Sequence, residues 1–182
     1  MNEIILGITG SIAAYKAADI ANELTKSNAT VHAIMTAAAT KFIAPLTIQT
    51  LTKNKVYIDM FEKVDYLDVR HISLAQKADC CLIAPATANI IGKLASGIAD
   101  DMLSTVVMAI KGKPVLICPA MNTAMYENPV TQSNIERLKG FGYSFIEPKE
   151  AFLACGDKGK GALADVHVII RTILDILGAQ RI

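Results

Sequence analysis

The sequence has no run of lysine or arginine, and its 18 basic and 17 acidic residues leave a net charge of only +1. Nucleic-acid binding needs a basic patch or stripe, so no nucleic-acid partner is expected. Long apolar runs are also missing. None approaches the roughly 18–20 residues that span a bilayer, so no membrane partner is expected either. Met1-Asn2-Glu3 passes straight into Ile4-Ile5-Leu6, without the positive region, apolar stretch and small-residue cleavage site of a signal peptide. The expectation is a cytoplasmic protein. Cysteine is scarce, with 4 in 182 residues, none in a C-x-x-C pair and none clustered with the 3 histidines. That pattern argues against a zinc site and for free thiols in a reducing compartment.

What is present is apolar and periodic: 52% of residues are hydrophobic and 19% charged, the signature of one well-buried core. Residues 3–9 form an apolar run with no polar alternation, as expected for a strand covered on both faces of a parallel sheet. A helical pattern follows over about residues 11–26, with Lys16, Asp19, Glu23 and Lys26 facing outward. Further strands are expected at 30–35, 79–84, 114–118 and 143–146. Helices are expected at 40–51, 71–77, 89–96, 101–110, 128–139 and 166–177, with Gly97 separating the third from the fourth. Residues 52–69 mix Tyr57, Phe61 and Tyr66 with charges and read as a loop. Strands alternating with helices make βαβ units and an α/β fold with a central parallel sheet. No repeat or linker divides residues 1–182, which read as a single domain.

In such sheets ligands bind outside the carboxyl ends of the strands, so the loops there are the candidates. Gly10-Ser11-Ile12 is a strand-to-helix turn whose N–H groups and hydroxyl suit a phosphate, although Ser11 equally suits plain N-capping. It is not the G-x-G-x-x-G dinucleotide fingerprint, because the third glycine is missing and Thr36, not an acid, follows the second strand. A mononucleotide phosphate fits better than NAD. Thr36 stands evenly between a ligand contact and a helix cap. Pro85-Ala86-Thr87-Ala88-Asn89 has small side chains that admit a flat ring, with Thr87 and Asn89 as hydrogen-bonding groups; it reads equally as a Pro-initiated turn capped by Asn89. His71 opens a short helix and is either a general base or a surface or capping residue. His32 and His167 read as structural, and Cys80, Cys81 and Cys118 as small core residues, whereas Cys155 lies beside a Gly-rich loop.

Together these segments resemble a known family. Gly10-Ser11-Ile12-Ala13-Ala14-Tyr15-Lys16, His71-Ile72-Ser73-Leu74, Ala99-Asp100-Asp101, Pro119-Ala120-Met121-Asn122-Thr123-Ala124-Met125 and Leu153-Ala154-Cys155-Gly156-Asp157 are similar to the phosphopantothenoylcysteine decarboxylases. These belong to the homo-oligomeric flavin-containing cysteine decarboxylases of coenzyme A biosynthesis. The likeness runs over residues 3–177 and implies a flavodoxin- or Rossmann-like three-layer sandwich. It departs at Tyr126, where the family usually has Trp, and at Lys160-Gly161-Ala162-Leu163, where relatives often carry an Arg-Met pair. A fused synthetase domain, carried by many bacterial relatives, is absent, so the stand-alone form is expected.

The resemblance implies FMN as cofactor and a small-molecule substrate, 4′-phosphopantothenoylcysteine. Transient oxidation of its –CH₂–SH to a thioaldehyde supplies the electron sink for loss of CO₂, and the resulting ene-thiolate is protonated and reduced to 4′-phosphopantetheine. By the same likeness, FMN lies against Gly10, Ser11, Ile12, Thr36, Thr87, Ala88, Asn89, Ile90 and Ala120. His71 is implied as the base, Cys155 as the acid, and Asn122 with Met125 and Ala154 as the substrate contacts. Residues 151–161, rich in glycine, are expected to form a lid. Relatives assemble as trimers, sometimes as dodecamers built of trimers, which puts His71 at a site completed by a neighbouring chain. Three related readings are less well matched. A lantibiotic-peptide cysteine decarboxylase lacks the reason for the Cys155 loop, a flavin prenyltransferase needs an Arg and Glu set not found here, and a phosphatase-inhibiting regulator usually carries an acidic tail or loses the His or Cys.

Overall fold

The computed structural model describes residues 2–61, 70–152 and 158–179. Its centre is a five-stranded sheet in the order β2-β1-β3-β4-β5, with every adjacent pair parallel. The strands are β1 (Asn2–Ile8), β2 (Ala29–Met35), β3 (Cys80–Ala86), β4 (Val115–Pro119) and β5 (Ser144–Phe145). Their residues alternate between two cores. Ile4, Leu6, Ile8, Cys80, Leu82, Leu116 and Cys118 point to one face, and Ile5, Cys81, Ile83, Val115 and Ile117 to the other. Both faces are covered, which is why the strands read as unbroken apolar runs.

Helices α1 (Lys16–Lys26), α2 (Pro45–Thr52) and α8 (Val166–Ala179) cover the first face. Helices α3 (Arg70–Lys77), α4 (Ala88–Ser96), α5 (Met102–Ala109) and α7 (Pro129–Gly140) cover the second. In α1, Ala17, Ile20, Ala21 and Leu24 are buried at helical spacing while the charged positions face out. Asp101 starts α5 with a reciprocal capping box to Ser104, and Gly97 ends α4 at φ +71°, a left-handed position natural for glycine. The result is the three-layer sandwich expected, with the flavodoxin strand order.

Several local expectations are corrected. The stretch 11–26 is two pieces, a 3₁₀ turn Ile12–Tyr15 and then α1. The helix expected from residue 40 starts instead at Pro45, since proline suits the first helical turn, and a separate 3₁₀ turn Ala39–Lys41 precedes it. Residues 52–61 are not wholly irregular, because Tyr57 bridges Ile34 on the edge strand β2. A short helix α6 (Thr123–Glu127) lies where no helix was expected. The ends of the Gly-rich segment 151–161 are not free loop: β6 (Lys149–Phe152) and β7 (Lys158–Ala162) pair antiparallel as a separate hairpin. Its central residues, Ala154 and Cys155 among them, lie outside the described residues.

Candidate active site

A cleft of about 1060 Å³ opens at the carboxyl ends of the central strands. Gly10 and Ser11 follow β1 and Thr87 to Asn89 follow β3, so the cleft straddles the point where the strand order reverses, the favoured ligand position in this topology. Of the residues singled out in sequence, Gly10, Ser11, Ile12, Thr36, Thr87, Ala88, Asn89, Ile90, Ala120, Asn122 and Met125 all line it.

Sterics and capping shape the floor. A Cβ on Gly10 would stand 2.4 Å from the Ala38 Cβ, so only glycine lets the turn after β1 close on the turn after β2. Ser11 caps its turn by accepting from the Ala13 N–H at 3.3 Å, and Thr36 accepts from the Ala39 N–H at 3.2 Å. The cap of α4 is Thr87, which accepts from the Ile90 N–H at 3.4 Å; Asn89 lies exposed in the helix and is not its cap. Thr9, overlooked in sequence, ties two strand ends together. Its hydroxyl donates to the Pro85 carbonyl at 2.7 Å and accepts from the Thr87 N–H at 3.0 Å. Only its place at the end of an apolar run hinted at this.

The opposite wall is the β4 end. Ala120 is buried, and the Asn122 carboxamide oxygen accepts from the Ala124 N–H at 2.8 Å, capping α6. That bond orients the side chain with its oxygen turned to the helix. Met125, one turn on, is half exposed. The hairpin seats directly on this wall: the Met121 N–H donates to the Gly161 carbonyl at 2.9 Å. A Cβ on Gly161 would stand 2.2 Å from the Met121 carbonyl oxygen, and one on Gly159 would stand 2.4 Å from Thr123 Oγ1. Those glycines permit close packing; they are not marks of a loose loop.

Lys93 and Asp101 also line the cleft. Lys93 Nζ donates to Asp100 at 2.6 Å and Asp101 at 2.7 Å, and these bonds raise the lysine pKa. Burial alone would push the Asp101 carboxyl up, but the bonds from Lys93 and Ser104 outweigh it and hold the pKa low. The eight-residue separation of Lys93 and Asp101 spans two helices, so no single-helix pattern announces the pair.

The strand cysteines take no part. Cys80, Cys81 and Cys118 are free and fully buried. Burial, then Asp79, pushes Cys80 up to about 12, and burial raises Cys81 and Cys118 as well. His71 is half-buried in the first turn of α3 and is not among the residues lining the cleft. A helix that feeds a parallel strand runs antiparallel to it, so this end of α3 lies toward the carboxyl edge of the sheet.

The donor set suits a flavin mononucleotide. Small residues (Gly10, Ser11, Ala37, Ala38, Ala88, Ala120) leave a broad slot, and the N-terminus of the nine-residue α4 and the Ser11 turn present backbone N–H groups to it. The model of the Flavoprotein family matches residues 1–178. The chain belongs to the Flavoprotein family. Within it, the chain is 52% identical over 172 residues to the probable phosphopantothenoylcysteine decarboxylase of Streptococcus mutans, covering 94% of this chain and 96% of that one. It is 46% identical to the coenzyme A biosynthesis bifunctional protein CoaBC of Bacillus subtilis over 92% of this chain, but spans only 41% of that longer protein. Among solved structures, a cysteine-to-serine mutant of a PPC decarboxylase complexed with pantothenoylaminoethenethiol superposes with a TM-score of 0.89 at 32% identity, over 97% of this chain and 98% of that one. The FMN-dependent cysteine decarboxylase SpaF superposes at 0.83 and 31% identity, over 97% and 98%.

Proposed function

We propose that the chain is an FMN-dependent decarboxylase that converts 4′-phosphopantothenoylcysteine to 4′-phosphopantetheine in coenzyme A biosynthesis. The observation that carries this reading is the single cleft at the β1/β3 crossover, which gathers the expected flavin contacts on one side and Asn122 with Met125 on the other. Its likeness to the Streptococcus mutans enzyme over nearly the full length of both chains supports the same substrate.

Gly10, Ser11, Ile12, Thr36, Thr87, Ala88, Asn89, Ile90 and Ala120 would hold FMN. Bound there, it supplies the reversible two-electron oxidation of the substrate's thiol-bearing carbon, so that CO₂ leaves with no net redox change. Asn122, which lines the cleft, is assigned to the substrate carboxylate. Its oxygen caps α6 by accepting from the Ala124 N–H, and its amide group is assigned as the donor to that carboxylate. Ala120, buried behind it, excludes water from one side, and Met125 supplies an apolar edge. Cys155 is assigned as the acid that protonates the carbon losing CO₂, with Ala154 beside it against the substrate. The three strand thiols, buried and held protonated, are unsuited to that task.

His71 is assigned as the base, acting on the site of a neighbouring copy. Its place at the rim but outside this chain's own cleft supports a homo-oligomer, a trimer or trimers gathered into a dodecamer, with sites between subunits. The exposed Ile12, Tyr15, Ile72, Ile98, Met108 and Met125 suit burial in such contacts. The whole chain is read as a single FMN-binding domain working in the cytoplasm. Among the described residues no helix is long and apolar enough to cross a membrane. The test is purification, a flavin absorbance spectrum, and incubation with 4′-phosphopantothenoylcysteine. The expected result is a yellow protein releasing CO₂ and phosphopantetheine; a flavin-loaded protein that releases neither removes the reading. Asn122→Asp keeps a good helix cap but presents a carboxylate, so substrate KM should rise at least tenfold, roughly the loss of one charge-assisted hydrogen bond. An unchanged KM takes Asn122 out of the carboxylate site.

A further inference from the structure

Two side chains distant in sequence, Tyr126 and Lys160, meet on one carboxylate. Glu147 Oε2 accepts from the Tyr126 hydroxyl at 2.6 Å and from Lys160 Nζ at 2.8 Å. The Lys160 ammonium also stands 5.6 Å from the centroid of the Tyr126 ring. We propose that Tyr126, Glu147 and Lys160 form a latch that positions the β6–β7 hairpin against the Asn122 wall. The inference rests on the proposed role of Cys155, in the sequence between β6 and β7, as the catalytic acid, and it deepens that reading by naming positioning residues.

A two-stranded hairpin is marginal alone, so β6–β7, which joins no other strand of the main sheet, must be held by tertiary contacts. One end is pinned through Met121 and Gly161, close to β4. Lys160 lies on β7 one residue nearer the 153–157 segment and pairs with Glu150 on β6. Its ammonium therefore ties the strand that leaves this segment to the body of the protein. The anchor is rigid. Tyr126 is 5% exposed, packed in the second core, and is the residue after Met125 on α6. Gln132 fixes the backbone there by donating from Nε2 to the Tyr126 carbonyl at 2.5 Å.

The protonation states agree with a lasting latch. Burial and then Glu147 push the Tyr126 phenol well above its ordinary value, so it stays a donor. Lys160 and then Tyr126 hold the Glu147 carboxyl below the ordinary range, so it stays an acceptor. An isolated surface ion pair contributes little, because long side chains lose entropy and solvent screens the charges. This one differs in that a buried, immobile ring supplies one of the two donors. Lys139, 3.9 Å from Glu147 Oε1, adds a second cation to the same carboxylate.

The experiment uses the FMN-loaded protein with Tyr126→Phe, which keeps the ring, Lys160→Met, which keeps the length, and Lys160→Arg, which keeps the charge. Amide hydrogen exchange of β6 and β7 is read alongside kcat and KM for 4′-phosphopantothenoylcysteine. Phe and Met are expected to speed exchange in both strands by about threefold to tenfold, the loss of one hydrogen bond, and to lower kcat with KM little changed, while Arg stays near wild type. Exchange within twofold of wild type in both Phe and Met variants overturns the latch, whatever the activity. Should the wild-type protein turn over no substrate while exchange responds as expected, the decarboxylase reading fails and the latch stands as a structural device.

Discussion

Replacing Gly161 by alanine should loosen the hairpin from the substrate wall. Gly161 is not at a positive φ, so the penalty is purely steric. The new Cβ would meet the Met121 carbonyl oxygen at 2.2 Å, the Thr123 nitrogen at 3.3 Å and the Asn122 carbonyl carbon at 3.4 Å. All three are backbone atoms, and no side-chain rotation relieves them. Separation of the two segments breaks the 2.9 Å bond from Met121 N–H to Gly161 C=O. One lost hydrogen bond is about 1 kcal/mol and overpacking about 1–3 kcal/mol, giving about 2–4 kcal/mol in all. For a chain of this size that lowers Tm by roughly 5–15 °C, readable by circular dichroism. Because the strain falls on the backbone of Met121 to Thr123, kcat/KM should drop along with Tm. Gly178→Ala is the control: among the described residues nothing lies within 4 Å of its added Cβ, and alanine in place of glycine in α8 should stabilise by about 0.5–1 kcal/mol. A Gly161→Ala Tm within about 1 °C of wild type would refute the packing argument, since even the lower estimate predicts more.

Gly10→Ala should abolish flavin retention, because its Cβ would meet Ala38 at 2.4 Å and part the turns that floor the cleft; a full flavin spectrum after purification contradicts this. In a Cys155→Ser background, Ellman's reagent should find no reactive thiol in the native protein and three after unfolding, from Cys80, Cys81 and Cys118; rapid reaction of any native thiol contradicts their burial. Asp101 gives a pH signature. Its folded pKa lies below the ordinary 3.8, so the stability it contributes is present above that value and lost as pH falls through the folded one. The acid limb of urea unfolding below about pH 4 should therefore be shallower in Asp101→Asn, which keeps the cap; an identical limb contradicts the assignment.

The sheet was legible in the sequence because strands covered on both faces need apolar runs, and β1 and β3 carry Ile4-Ile5-Leu6 and Cys80-Cys81-Leu82-Ile83. The flavin-side loops were legible for a related reason: the order of elements fixes which turns face the cleft. What stayed hidden was held by contacts distant in sequence. Nothing in Lys158-Gly159-Lys160-Gly161-Ala162 resembles a strand, since the glycines answer to Thr123 and Met121 and not to a local β preference. Helix α6 is only five residues long, too short for a hydrophobic period to show. Thr9 reads as the tail of an apolar run, and its role emerges only when β3 brings Pro85 and Thr87 beside it. Lys160, whose part could not be assigned from sequence, finds its partner 13 residues back at Glu147.

On the proposed function, this cleft removes CO₂ from a cysteinyl carboxylate without net redox change. Carboxyl-labelled 4′-phosphopantothenoylcysteine, incubated with the flavin-loaded protein, tests it most directly. Labelled CO₂ and phosphopantetheine are expected in equal amounts over many turnovers, with the flavin oxidised at the end. Label retained in the substrate while the flavin stays bound, or CO₂ released only once as the flavin bleaches, would contradict it.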